Sequence, residues 1–221
     1  MADRAALLRL VADRILALPA APAARVAIDG VDGAGKSCFR DELAAALAPA
    51  GRQLILASVD SFHQPRAARY RQGRDSPQGF FEDSYDYQAF RRLLLDPLSP
   101  GGDGRFRAAA FDHRRDSPVE APEQRAAPGA ILLVDGIFLH RRELRGCWDL
   151  SIFLEVGFGH SAARMAVRDG SPADPADPRL RRYVEGQRLY LATCEPQRHA
   201  SLVINNERLD APFLVEAGGR R

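Results

Sequence analysis

The sequence predicts an α/β fold of three layers, a parallel sheet of five strands with helices packed on both faces. Three observations carry this expectation. Short apolar runs at 25–29, 53–59, 131–134, 150–156 and 201–205 have the length and composition of buried strands. Helical spacings lie before, between and after them. The first run leads through a glycine-rich turn directly into a helix, a junction typical of parallel α/β units.

The element order is read along the chain. At 2–18, apolar residues Leu7, Leu8, Val11, Ile15 and Leu18 mark one face of an amphipathic helix. It stops at Pro19, and an Ala/Pro linker leads into the strand at 25–29. The helix at 38–48 follows, then the strand at 53–59, ending in Asp60-Ser61-Phe62-His63. Residues 64–86 are rich in Arg, Gly, Pro and aromatics, a long loop of the kind that carries function. Asp86 suits an N-cap for a helix to about 95. A short extra strand is expected at 105–111, a short helix at 140–147, a helix at 161–169, another from 179 to about 193, and a last short helix at 211–217. The proline-rich stretch 170–178 cannot be helix.

The composition is that of one globular domain spanning 1–221, with an N-terminal helix at 1–20. A net charge of +2 makes no electrostatic case for nucleic acid or an acidic membrane. The cysteines, Cys38, Cys147 and Cys194, are odd in number and lack a C-x-x-C pair, which argues against disulfides or a zinc site and for a reducing cytoplasm. No apolar run is long enough for a membrane span, and the charged residues near the N-terminus do not read as a signal peptide.

Residues 30–37 read Gly-Val-Asp-Gly-Ala-Gly-Lys-Ser, the G-x-x-x-x-G-K-S pattern in the strand–loop–helix context it requires. Glycines at 30, 33 and 35 let the loop amides turn inward as an anion nest at a helix N-terminus. The expected nucleotide contacts run through Gly30, Asp32, Gly33, Ala34, Gly35, Lys36, Ser37 and Cys38. Lys36 reaches the β- and γ-phosphates, and the Ser37 hydroxyl suits Mg²⁺. The run 131–136 ends in Asp135, the Walker B pattern that brings a carboxylate to the same metal. Asp60 ends another strand on the ligand side of the sheet. Arg164 and Arg168 share one helix face, and with the polar flap at 170–183 they have the layout of a lid over phosphates.

Taken in order, Asp29-Gly30 into the P-loop, Asp60-Ser61-Phe62-His63, Phe111-Asp112-His113, Asp135-Gly136-Ile137-Phe138 and Arg164-x-x-x-Arg168-Asp169 resemble the uridine kinase and phosphoribulokinase branch of P-loop kinases. The resemblance runs from about 26 to 206. It implies the P-loop nucleoside-triphosphate hydrolase fold with a lid, sheet order 2-3-1-4-5, and ATP with Mg²⁺ as cofactors. It implies a catalytic set of Asp60 as general base, Lys36 and Arg168, with Ser37 and Asp135 at the metal. It also implies an acceptor-binding insert at 61–116 that uses Phe62, His63, Phe111 and His113. Glu82, Asp83 and Asp86 are candidates for holding ribose hydroxyls, Asp83 being favoured. Arg164 contacts substrate and phosphates, and Asn205 and Asn206 fall at the adenine pocket. The family carries Tyr where this chain has Phe111.

Each assignment has a plainer alternative: a strand-end acid for Asp60 and Asp135, a loop histidine for His113, a solvated helix face for Arg164 and Arg168, a helix cap for Asp86. The expected partner is a small nucleoside-like acceptor, with neither nucleic acid nor membrane, and a homo-oligomer is compatible with the sequence. The activity expected first is uridine kinase-like nucleoside 5′-phosphorylation. A phosphoribulokinase-like or pantothenate kinase-like acceptor is the second reading, favoured by the arginines at 66–74. A non-kinase nucleotide-binding ATPase is the third, although neither N-K-x-D nor L-S-G-G-Q occurs.

Overall fold

The computed structural model describes residues 3–19 and 22–215. Its main sheet contains β1 (Ala23–Gly30), β2 (Leu54–Ser58), β3 (Ala130–Gly136), β4 (Leu150–Glu155), β5 (Leu202–Asn205) and β6 (Phe213–Leu214), in the order β2-β3-β1-β4-β5-β6. The first five run parallel in the expected 2-3-1-4-5 order, and β6 pairs antiparallel at the edge. The longer helices are α1 (Arg4–Leu16), α2 (Lys36–Leu47), α3 (Pro77–Asp83), α4 (Phe158–Asp169) and α5 (Arg181–Cys194).

Alternation along the strands divides the core. Val26 and Ile28 of β1 face α1 and α2 and pack with Val11, Ile15, Phe39 and Leu43. Ala23 and Ala27 face the other layer, where Phe62, Phe80, Phe90, Phe138 and Tyr190 pack. The α1 stripe read from the sequence is the buried one, and Asp3 caps the helix by accepting from the Ala5 amide. Every residue of β1 is buried, as the central strand of a sheet covered on both faces requires.

The register brings the chemistry to one edge. Asp135 of β3 lies opposite Ile28 of β1 and Ser58 of β2. The loop after β1 and the turn carrying Asp60 therefore leave the sheet beside Asp135, at the carboxyl ends of the strands.

Five expectations need correction. The stretch 64–86 is not all loop: it holds the short helix Arg66–Arg69 and α3, which Ser76 caps by accepting from the Gly79 amide. The helix from Asp86 is α-helical only over Tyr87–Phe90 and widens into a π turn at Arg91–Leu95; that turn lets Phe90, Leu94 and Leu95 all reach the core. The strand at 105–111 is two short pieces, Arg105–Phe106 and Phe111–Asp112, paired with Gln124–Arg125 and Ser117–Pro118. Between them the Arg107 and Ala110 amides bond to Leu93 and Ser61 carbonyls. The helix at 140–147 shrinks to one 3₁₀ turn, Arg145–Cys147; ahead of it the His140 amide is held by Asp29 and Tyr190. The helix at 211–217 is instead β6, which covers the β5 edge; 216–217 lie outside the described residues. Among the described residues no helix is long and apolar enough to cross a membrane.

Candidate active site

The loop between β1 and α2 is held from several sides. Gly33 has φ of +68°, and a Cβ there would stand 2.6 Å from the Ser161 carbonyl oxygen, so only glycine lets the loop lie against α4. Ser161 Oγ donates to the Asp32 carbonyl at 2.5 Å. The Asn206 amide donates to the Ala34 carbonyl at 2.8 Å. Arg164 donates to the carbonyls of Gly33, Asn206 and Glu207 at 3.3, 2.8 and 2.7 Å. Gln187 of α5 accepts from the Asp32 amide at 2.6 Å and donates to the Asp32 carboxylate at 3.1 Å. Burial pushes the Asp32 carboxyl up, against the pull of the Lys36 ammonium. Lys36 Nζ itself donates to the Val31 carbonyl at 2.8 Å. With the loop carbonyls engaged from behind, the first-turn amides of α2, which no side chain caps, supply the positive end of the helix dipole.

Two acids stand opposite this loop. Ser37 Oγ donates to Asp135 Oδ2 at 2.5 Å, and Arg40 of the same helix donates to Oδ1 at 2.6 Å. Gly136 follows; a Cβ there would come within 2.2 Å of Val59, so the absence of a side chain lets the Asp60 turn pack against β3. Asp60 is exposed, and Tyr85 donates its hydroxyl to Asp60 Oδ1 at 2.8 Å. Burial first, and then the charge of Asp60, hold the Tyr85 phenol well above its ordinary pKa, so it remains a donor. The His63 ring packs on Tyr85 and His113, with centroids 4.5 and 4.7 Å apart, and burial lowers its pKa.

A cavity of about 890 Å³ lies between the loop and the two acids; Tyr85, His63 and His113 stand outside its lining. Of the residues singled out from the sequence, Asp32, Gly33, Gly35, Lys36, Ser37, Cys38, Asp60, Asp135, Arg164 and Arg168 line it. Ala34 and Asn206 are fully buried behind the loop. Gly30 takes up the junction with β4, where a Cβ would stand 2.8 Å from the Leu154 carbonyl oxygen. Phe62 points into the core against Phe90, with ring centroids 5.0 Å apart, and Phe111 is buried in its ribbon. Asp83 lines a separate cavity of about 340 Å³ with Gln64, Arg71 and Tyr85, and is paired to Arg71 at 2.5 Å. Asp86 caps the turn at 87–90 through the Ala89 amide. Arg168 pairs with Asp169 at 2.7 Å; the Ser171 hydroxyl and then Arg168 bring the Asp169 carboxyl down to about 2.

No protein-family model matches the sequence, and no curated protein matches it. Solved structures do match. A possible uridine kinase from Bacillus stearothermophilus superposes with a TM-score of 0.69 at 20% identity, over 89% of this chain and 96% of that one. A provisionally assigned fructose transport system kinase from Silicibacter sp. TM1040 gives 0.66 at 28% identity, over 85% and 93%. Phosphoribulokinase from Rhodobacter spheroides gives 0.56 at 14% identity, over 83% and 70%. The chain has the P-loop kinase fold of these uridine kinase-like and phosphoribulokinase structures.

In this P-loop kinase fold, several groups at the cavity escaped the sequence reading. Arg4 of α1 reaches the cavity, pairs with Glu42 at 2.5 Å, and donates to Asn206 Oδ1 and the Leu209 carbonyl, both at 3.1 Å. Beneath the P-loop, the fully buried Asp29 accepts from the Gly30 amide at 2.7 Å, from His140 Nδ1 at 2.7 Å and from the Tyr190 hydroxyl. An acid inside an apolar strand was the one local signal of this network. Phe138, on the loop between Asp135 and His140, has φ of +66° and is held there by Phe80, Phe81 and Tyr190 rings at 5.0–5.5 Å. Such a conformation costs on the order of 1–3 kcal/mol and persists when packing over-determines it. Tyr190→Phe, which leaves a buried carboxylate short of one donor, is expected to cost about 1–3 kcal/mol in urea unfolding. A midpoint equal to wild type would remove the hydroxyl from the account.

Proposed function

We propose that this chain is an ATP-dependent kinase that transfers a phosphoryl group to a hydroxyl of a small acceptor, and that the acceptor is nucleoside-like. The carrying observation is that Lys36, Ser37, Asp135 and Asp60 share one cavity, the first three on the donor side and Asp60 as an exposed acid opposite them. The matched structures bearing kinase names support the reaction class.

The Ser37 hydroxyl and the Asp135 carboxylate are a hard-oxygen donor pair that fits Mg²⁺. When bound with ATP there, the ion would neutralise charge on the phosphates. The chain's own groups do the rest. Lys36 exchanges the Val31 carbonyl for phosphate oxygens, and the α2 amides hold the anion. Asp60, oriented by Tyr85, takes the proton of the attacking hydroxyl. Arg164 keeps the loop in shape, and Arg168, at the cavity wall, exchanges Asp169 for phosphate when the 170–183 lid closes. Residues 61–116 form the acceptor side of a single domain. Asn206 supports the P-loop from behind, while Arg4 and Leu209 wall the cavity beside it.

The nucleoside reading is supported by the planar group of His63, His113 and Tyr85 next to Asp60, with the Asp83 cavity beyond Tyr85 for hydroxyls. The second reading, an anionic acceptor, is favoured by Arg71 at that same cavity. ADP release with Mg-ATP against uridine, cytidine, other nucleosides, pantothenate and ribulose 5-phosphate separates them. Turnover on pyrimidine nucleosides alone supports the first, and turnover on the anionic acceptors alone replaces it by the second. In the same assay, His113→Ala is expected to raise acceptor KM by about tenfold and ATP KM by less than about twofold. The reverse pattern would remove His113 from the acceptor site.

A further inference from the structure

Arg182, in the first turn of α5, is only 6% exposed and has no carboxylate partner among the described residues. Its guanidinium is spent on backbone. Nη1 donates to the carbonyls of Gly73, Arg74 and Ser76 at 3.2, 3.2 and 3.0 Å, and Nη2 to that of Arg69 at 2.9 Å. The Tyr70 and Phe80 rings lie 4.9 and 5.7 Å from it. A buried charge is costly unless its donors are satisfied. Here four carbonyls converge on it from a segment that contains only the short helix Arg66–Arg69 and a turn. The chain at 69–76 is thus wrapped around a cation that belongs to another element.

That segment carries Arg71 and Gln72, which hold the Asp83 carboxylate at 2.5 and 2.8 Å and so shape the smaller cavity beside Tyr85 and Asp60. Arg182 stands at the far end of the lid, just after the proline-rich stretch 170–178 and already within α5. Further along the same helix Gln187 grips Asp32 of the P-loop, and Tyr190 grips Asp29. One helix therefore ties the acceptor-side segment to the frame that holds the nucleotide.

We infer that Arg182 is a positioning residue, which fixes the 69–76 segment to α5 and through it sets acceptor affinity without touching the acceptor. The kinetic part rests on the kinase reading; the structural part does not. Hydrogen exchange by mass spectrometry on the full chain tests it, with Arg182→Met, Arg182→Lys and Tyr70→Ala. Arg182→Met is expected to speed exchange across 69–76 by about tenfold while 30–37 keeps its wild-type rate. Acceptor KM should rise by about tenfold with ATP KM within about twofold, and Arg182→Lys, which keeps the charge but loses the planar fork, should fall between. Wild-type exchange at 69–76 in Arg182→Met, or acceptor and ATP KM rising together, overturns the inference. If no acceptor is phosphorylated by the wild type, the kinase reading fails and the exchange result alone decides the role of Arg182. If Arg182→Met does not fold, Tyr70→Ala takes its place: faster exchange at 69–76 supports the tie, and unchanged exchange refutes it.

Discussion

Asp60→Asn is expected to lower kcat by about 10²–10⁴-fold, the usual contribution of a positioned general base, with ATP affinity within about twofold of wild type. The substitution keeps the shape and the hydrogen bond from Tyr85 but removes the basic oxygen. Asp60 lies off the P-loop, on the turn after β2, so the phosphate cradle is not touched. Tyr85 is the internal control. Tyr85→Phe leaves the carboxylate present but unoriented and should cost less than Asp60→Asn. Isothermal titration with a non-hydrolysable ATP analogue, beside steady-state kinetics, separates binding from turnover. Unchanged kcat in Asp60→Asn would leave Asp60 as a strand-end acid and no more.

Lys36→Ala is expected to remove productive ATP use, with a loss in kcat of at least about 10²–10³-fold, the scale for deleting one preorganised charge-stabilising donor. Lys36 is the only lysine in the sequence, so no neighbouring ammonium can substitute. In the structure its ammonium rests on the Val31 carbonyl within the loop, a neutral partner it can exchange for phosphate. The uniqueness also gives a direct probe. Amine acylation of the folded protein should modify only Lys36 and the N-terminal amine, and Mg-ATP should slow the reaction at Lys36 alone. Equal acylation rates with and without Mg-ATP would mean that Lys36 does not meet the phosphates.

The parts of this account that were legible in the sequence are those written locally. The glycine spacing at 30–37, the apolar runs ending in Asp60 and Asp135, and the amphipathic stripe of α1 each follow from a short-range rule of backbone or periodicity, and the sheet order agreed with the family resemblance. What escaped depends on residues far apart in the chain. Asp29, His140 and Tyr190 meet only after β1, the loop following β3, and α5 have packed. In sequence Arg182 is one of several arginines at the end of the lid; its burial follows from carbonyls more than 100 residues upstream. The motif pairs Phe62 with His63 as a substrate contact, yet the turn after β2 sends the phenyl ring into the core and leaves the imidazole at the surface layer. Asn206 has the same history: the position after β5 was legible, but the direction of its amide, into Ala34 and Arg4, was not. A helix is expected where β6 stands because two apolar residues past a proline satisfy a helical spacing as well as a strand, and only the open edge of β5 decides between them.

The central claim is that the shared cavity passes a phosphoryl group to an acceptor hydroxyl and does not simply hydrolyse nucleotide. The most direct measurement is the fate of the label from γ-³²P-ATP, with Mg²⁺, in the presence and absence of the best acceptor from the panel. Label is expected in a phosphorylated acceptor, in step with ADP, with almost none in inorganic phosphate when acceptor is absent. Release of labelled phosphate at the same rate with or without every acceptor would contradict it and make the chain a nucleotide hydrolase on a kinase fold.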